Sequence, residues 1–95
     1  MVSLLLASQL VDAPAMAQTP AATCAAASVS ARGEPASLRL LALTKARGNW
    51  RARVRVTPGM GAAYADWGAA AEQVERCIEN TGSIVCTVSA IPCRR

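Results

Sequence analysis

Cys24, Cys77, Cys86 and Cys93 constrain this chain more than any other feature. The number is even, no two stand as Cys-x-x-Cys, and the intervals of 52, 8 and 6 residues match no zinc ribbon or knuckle. No His occurs among the 95 residues, so the commonest zinc ligand is missing as well. Disulfides are the expected use of the four thiols, with no metal and no cofactor. A domain of this size needs such staples, because a core built from about 70–80 residues rarely supplies more than about 3–5 kcal/mol.

Composition makes the core thinner still. The chain is 53% hydrophobic, but its aromatics are only Trp50, Tyr64 and Trp67, and much of the rest is alanine. Trp50 and Trp67 are expected to anchor the core at one end of a sheet. The missing imidazole also removes the usual base at neutral pH and the Ser–His and Cys–His nucleophile pairs. Pro58-Gly59-Met60-Gly61 is not followed by the Lys-Ser/Thr of a phosphate-binding loop. No catalytic residue is expected, and the chain reads as a non-enzymatic protein.

The first residues read as an address. Residues 2–11 form a short apolar run, and Pro14 is followed by Ala15-Met16-Ala17, a small-x-small site. The expectation is a secretory signal over 1–17, cleaved after Ala17, and hence a periplasmic or secreted protein. No Lys or Arg precedes the run, which leaves either a weak signal or a translation start upstream of Met1. The run is too short to span a bilayer, so no transmembrane segment is expected. Cleavage removes Asp12 and leaves ten basic against five acidic residues.

The remaining chain divides in two. Residues 18–36 are Ala, Thr, Ser and Pro with few large side chains, and read as a flexible arm tethered by Cys24. Residues 37–95 read as a disulfide-stabilised α+β domain. Within it, Trp50-Arg51-Ala52-Arg53-Val54-Arg55-Val56 alternates apolar and basic residues, the period of a half-buried strand. Paired with 37–44 across Arg47-Gly48-Asn49, it makes a hairpin with Leu38 opposite Val56 and Leu40 opposite Val54. Asp66 then caps a helix over 67–79 that carries Trp67, Ala70, Ala71, Val74, Cys77 and Ile78 on one stripe, a Glu72–Arg76 pair one turn apart, and Gly82 as its stop. Residues 83–91 are rich in β-branched residues and form a strand ended by Pro92. The expected architecture is a small two-layer β-β-α-β domain, with a three-stranded, mainly antiparallel sheet of order 2-1-3 and one helix on one face.

Four cysteines allow three pairings. Cys86 and Cys93 lie seven residues apart, about 23 Å along an extended strand, far beyond disulfide reach. Cys77 to Cys93 joins the helix end to the far end of that strand. Cys77–Cys86 and Cys24–Cys93 remain, with Cys86 sharing a core face with Ile84 and Val88.

The charge pattern supplies the functional expectation. Residues 32–55 hold seven cations against Glu34 alone, whereas 66–79 holds four carboxylates against Arg76. In the expected hairpin, Arg39, Leu41, Leu43, Arg51, Arg53 and Arg55 share the face away from the helix, joined by Val85 and Ile91. That face is both cationic and apolar. It is expected to bind an acidic protein or to self-associate as a homodimer; the alternative is an envelope protein held at an anionic surface by charge. Nucleic acid is not expected, because no aromatic platform is interleaved with the arginines. Glu72, Glu75 and Glu79 are read as a solvated helix face rather than a catalytic set.

Overall fold

The computed structural model describes residues 23–95. The expected leader, its cleavage site and residues 18–22 of the arm lie outside the described residues. In chain order the elements are β1 (Thr23–Cys24), β2 (Val29–Arg32), α1 (Arg39–Arg55), two short 3-10 turns (Ala62–Tyr64 and Trp67–Ala69), β3 (Ala71–Asn80), β4 (Ser83–Ile91) and β5 (Cys93–Arg94). Among the described residues the result is a small α+β domain with one α-helix and antiparallel sheets. β2, β4 and β3 form a three-stranded sheet in that order, and β1 pairs with β5 in a separate two-stranded clasp.

The expected hairpin over 37–57 is a helix. Two periods coexist in this segment, and the longer one prevails. Ala42, Ala46, Trp50 and Val54 recur every four residues and are all buried, which is the stripe of an α-helix packed on a sheet. Arg, Leu, Ala and Lys, all good helix formers, fill most of the remaining positions. The Arg51-Arg53-Arg55 alternation therefore spreads around the helix instead of lining a strand face. Leu38 and Leu40, expected in the core of the hairpin, are exposed. Pro58 follows the last turn and stops the helix.

The expected helix over 67–79 is an edge strand, preceded by a 3-10 turn at Trp67–Ala69. Asp66 precedes that turn without a side-chain capping hydrogen bond. The Glu72–Arg76 pair does not form, since Glu72 sits at a β-bulge between Ala71 and Val74 with φ 52°. β3 and β4 are joined by Thr81-Gly82, with φ 46° and 78°. Both are positive, as in the tight turn that matches hairpin twist. Gly82 thus closes a hairpin rather than a helix. β4 occupies the expected 83–91, but it is the central strand, so the order 2-1-3 is replaced by β2-β4-β3. The last part of the expected flexible arm, residues 23–36, carries β1, β2 and a bridge between Ala36 and Ile84.

The two disulfides are Cys24–Cys93 and Cys77–Cys86, the pairs reached from the sequence, though Cys77 lies on a strand. Each joins residues directly opposite one another on antiparallel strands.

The core lies between α1 and the inner face of the sheet: Ala31, Ile84, Cys86, Val88 and Ala90 on the strands, against Ala42, Ala46, Trp50 and Val54. Small residues on both sides let the layers approach closely. Trp50 fills one end, donating its indole N–H to the Val29 carbonyl at 3.0 Å. Trp67 meets it edge-to-face, with centroids 5.1 Å apart. Arg47 lies 5.9 Å over the Trp67 ring and pairs with Glu75, so one guanidinium ties α1 to β3.

Candidate functional site

Two surfaces flank this core: the outer side of α1 and the uncovered face of the sheet. The structure distributes the expected Arg/Leu set over the first of these, and not on one face. Successive helix residues turn by about 100°. Leu43 therefore packs against the core, while Leu41, Arg39, Arg53 and Arg55 are exposed and Arg51 is half-buried. The sheet face they were expected to build does not exist.

What survives is the charge. α1 carries Arg39, Lys45, Arg47, Arg51, Arg53 and Arg55 and not one carboxylate. Arg47 is taken by Glu75, and Lys45 Nζ donates to the Pro35 carbonyl at 3.4 Å. Among the described residues the other four form no ion pair. Arg53 and Arg55 lie in the last turn, where the helix dipole favours cations; Arg39 stands in the first turn, where it does not. Leu38, Leu40 (72% exposed) and Leu41 cluster around Arg39 at that end.

The second surface was foreseen in kind but not in membership. Alternation along each strand sends Ser30 and Arg32 of β2, Val85, Thr87 and Ser89 of β4, and Val74, Arg76, Ile78 and Asn80 of β3 to the face away from α1. Val85 and Ile91 lie on the open face as expected. Arg32, Thr87 and Arg76 form one row across three strands. At about 4.8 Å per strand, the two arginine Cα atoms stand about 10 Å apart. A shallow hollow of about 380 Å³ opens there, lined by Arg32, Arg76, Ile78, Asn80, Val85 and Thr87. Neither arginine is ion-paired among the described residues. The missed residues are Arg32, assigned to the flexible arm, and Arg76, hidden by the helical reading of 67–79. The signal for Arg76 was the Val74-x-Arg76-x-Ile78 alternation.

The carboxylates stand elsewhere. Glu34 accepts a hydrogen bond from Asn49, which with its own backbone N–H and nearby Lys45 holds its carboxyl below the usual range. Arg95 does the same to Asp66, chiefly by hydrogen bonding. All four cysteines are oxidised, and among the described residues no three His, Cys, Asp or Glu side chains gather where a metal ion could sit. Two bridges in so small a domain point to an oxidising, exported compartment. No helix among the described residues is long and apolar enough to cross a membrane.

No family model, curated protein or solved structure matches the chain.

Proposed function

We propose that this is an exported, non-catalytic docking domain that binds an anionic partner through the outer side of α1. The observation that carries the proposal is a seventeen-residue helix with six cations and no carboxylate, held against a disulfide-stapled sheet. Like charges on one element repel, so such a helix gains stability when a partner supplies the missing anions. Export is supported by the two bridges and by the apolar run over 2–11 with the small-x-small site Ala15-Met16-Ala17 after it.

The exposure of Leu38, Leu40 and Leu41 beside Arg39 favours a second reading, retention at an anionic lipid surface. Binding of the oxidised protein to polyglutamate, and to vesicles with and without anionic lipid, is measured across a salt series. Arg51→Gln/Arg53→Gln/Arg55→Gln should lower affinity at least about tenfold at low salt with Tm unchanged, since each cation at an anionic surface is worth about 1 kcal/mol. Equal binding by the wild type and the triple variant rejects the helix as the docking surface. Binding to anionic vesicles alone, weakened by Leu40→Ser/Leu41→Ser, selects the lipid reading.

A further inference from the structure

β3 is a long edge strand with nothing beside it among the described residues, and its side chains specify what could be added there. β4 sits on one side, and the direction of its hydrogen bonds fixes which β3 groups face outwards. Ile84 exchanges both backbone bonds with Ala36, and the Cys86 carbonyl accepts from Gly33 N–H, so Ile84 and Cys86 point towards β2. Val85, Thr87 and Ser89 therefore point towards β3 and bond to Ile78, Arg76 and Val74. The N–H and C=O groups of Glu75, Cys77 and Glu79 face the other way, into the open edge.

An antiparallel strand added there would bond to those three residues. Its side chains would meet Val74, Arg76 and Ile78 at the narrow, non-hydrogen-bonded positions, where cross-strand pairs interact most closely. Val74 and Ile78 are 51% and 63% exposed, and Arg76 between them has no ion-pair partner among the described residues. The complement is apolar, acidic, apolar at every second residue. On the opposite face Glu75 is neutralised by Arg47, while Glu79 has no pair among the described residues, so acidic side chains are disfavoured there.

The other sheet edge is not equivalent. β2 has four residues, and Asn49 Nδ2 caps its outward Arg32 carbonyl at 2.8 Å. Edges are usually blunted in such ways. β3 has its bulge at Ala71–Val74, which leaves 74–80 regular. A second copy of β3 fits poorly. The register that uses all of 74–80 sets Glu75 against Glu79, and the next sets Arg76 against Arg76.

We propose that the edge of β3 takes an extended acidic peptide segment, added antiparallel, with a carboxylate opposite Arg76 and apolar side chains opposite Val74 and Ile78. This surface is distinct from α1, and the two readings stand or fall separately.

The probe is an acetylated, amidated seven-residue peptide with Val, Glu and Val at its second, fourth and sixth positions and Thr elsewhere, titrated into the full oxidised protein. Binding should slow amide exchange at Glu75, Cys77 and Glu79. Replacing the peptide Glu by Gln, or Arg76→Gln in the protein, should weaken it about fivefold each. The two changes together should add little, while Arg51→Gln/Arg53→Gln/Arg55→Gln leaves it unchanged. Equal affinity for the Glu and Gln peptides, or no protection of the three amides, overturns the proposal. So does protection in the free protein, whether it rises with concentration (a second copy) or disappears on deleting residues 1–22 (the chain's own segment).

Discussion

Gly33 lies against the backbone of Ala46, so close that a Cβ on Gly33 would stand 2.6 Å from the Ala46 nitrogen. The contact is between main chains, where no side chain can swing aside. It marks the point where the stretch after β2 passes under α1, and it explains why the helix presents alanines there. Gly33→Ala should therefore destabilise the domain by about 1–3 kcal/mol, the usual range for overpacking a close contact. Thermal unfolding of the oxidised protein checks this. An unchanged Tm would mean that the helix can lift off the sheet at no cost.

Gly48 gives the opposite expectation. It lies inside α1, and a Cβ there would meet nothing within 4 Å. Gly48→Ala removes the entropy penalty of glycine in a helix and should stabilise by about 0.5–1 kcal/mol. Denaturant titration, with the slope compared between the two proteins, measures it. A loss of stability would contradict the open space around this position.

The bridges differ in the loops they close. Cys24–Cys93 spans 69 residues and Cys77–Cys86 spans 9. By loop-closure entropy, the long one contributes about 4 kcal/mol and the short one about 3 kcal/mol. Cys24→Ala/Cys93→Ala should be the more damaging of the two double substitutions, read from denaturation midpoints. Peptide mapping without reductant should recover only these two pairs; a Cys86–Cys93 peptide would contradict β4.

Acid should weaken the fold through two carboxylates. Asp66, hydrogen-bonded by Arg95, and Glu34, hydrogen-bonded by Asn49, both have folded-state pKa values below their ordinary ones. A depressed carboxyl pKa contributes stability that is fully present above the unfolded value. It is lost as pH falls through the folded one. The decline should thus begin at about pH 5 and continue as pH falls through the folded-state values. Both groups are solvent-exposed, so the effect is small. Asp66→Asn and Asn49→Ala should each flatten the acid limb, and carboxyl NMR titration should give midpoints below the ordinary range. Midpoints at or above that range would rule out these partners.

β4 was legible in the sequence because its β-branched run permits only one reading, and its alternation correctly set Ile84, Cys86 and Val88 inside. The two tryptophans were legible by size alone. Residues 39–55 were not, because the arginines at 51, 53 and 55 imitate a strand while Ala42, Ala46, Trp50 and Val54 write a helix over a longer window. Residues 71–80 misled in reverse. Glu, Gln and Arg favour helix in isolation, and Val74, Cys77 and Ile78 also fit a helical stripe, yet pairing with β4 through Cys77–Cys86 decides the matter. Tertiary contacts overrode local preference in 71–80, whereas in 39–55 helical propensity and the buried stripe agreed and the two-residue arginine alternation was incidental. The candidate site followed suit: its cations were legible, but their arrangement on one helix and one sheet face depended on which segment became which.

The Cys24–Cys93 bridge fastens β1 to β5, and almost everything described lies between those two residues. A single protease cut anywhere from 25 to 92 therefore yields two fragments that remain one covalent molecule. A peptidase that severs the connection between α1 and β3 would leave the helix seated on its sheet instead of releasing it.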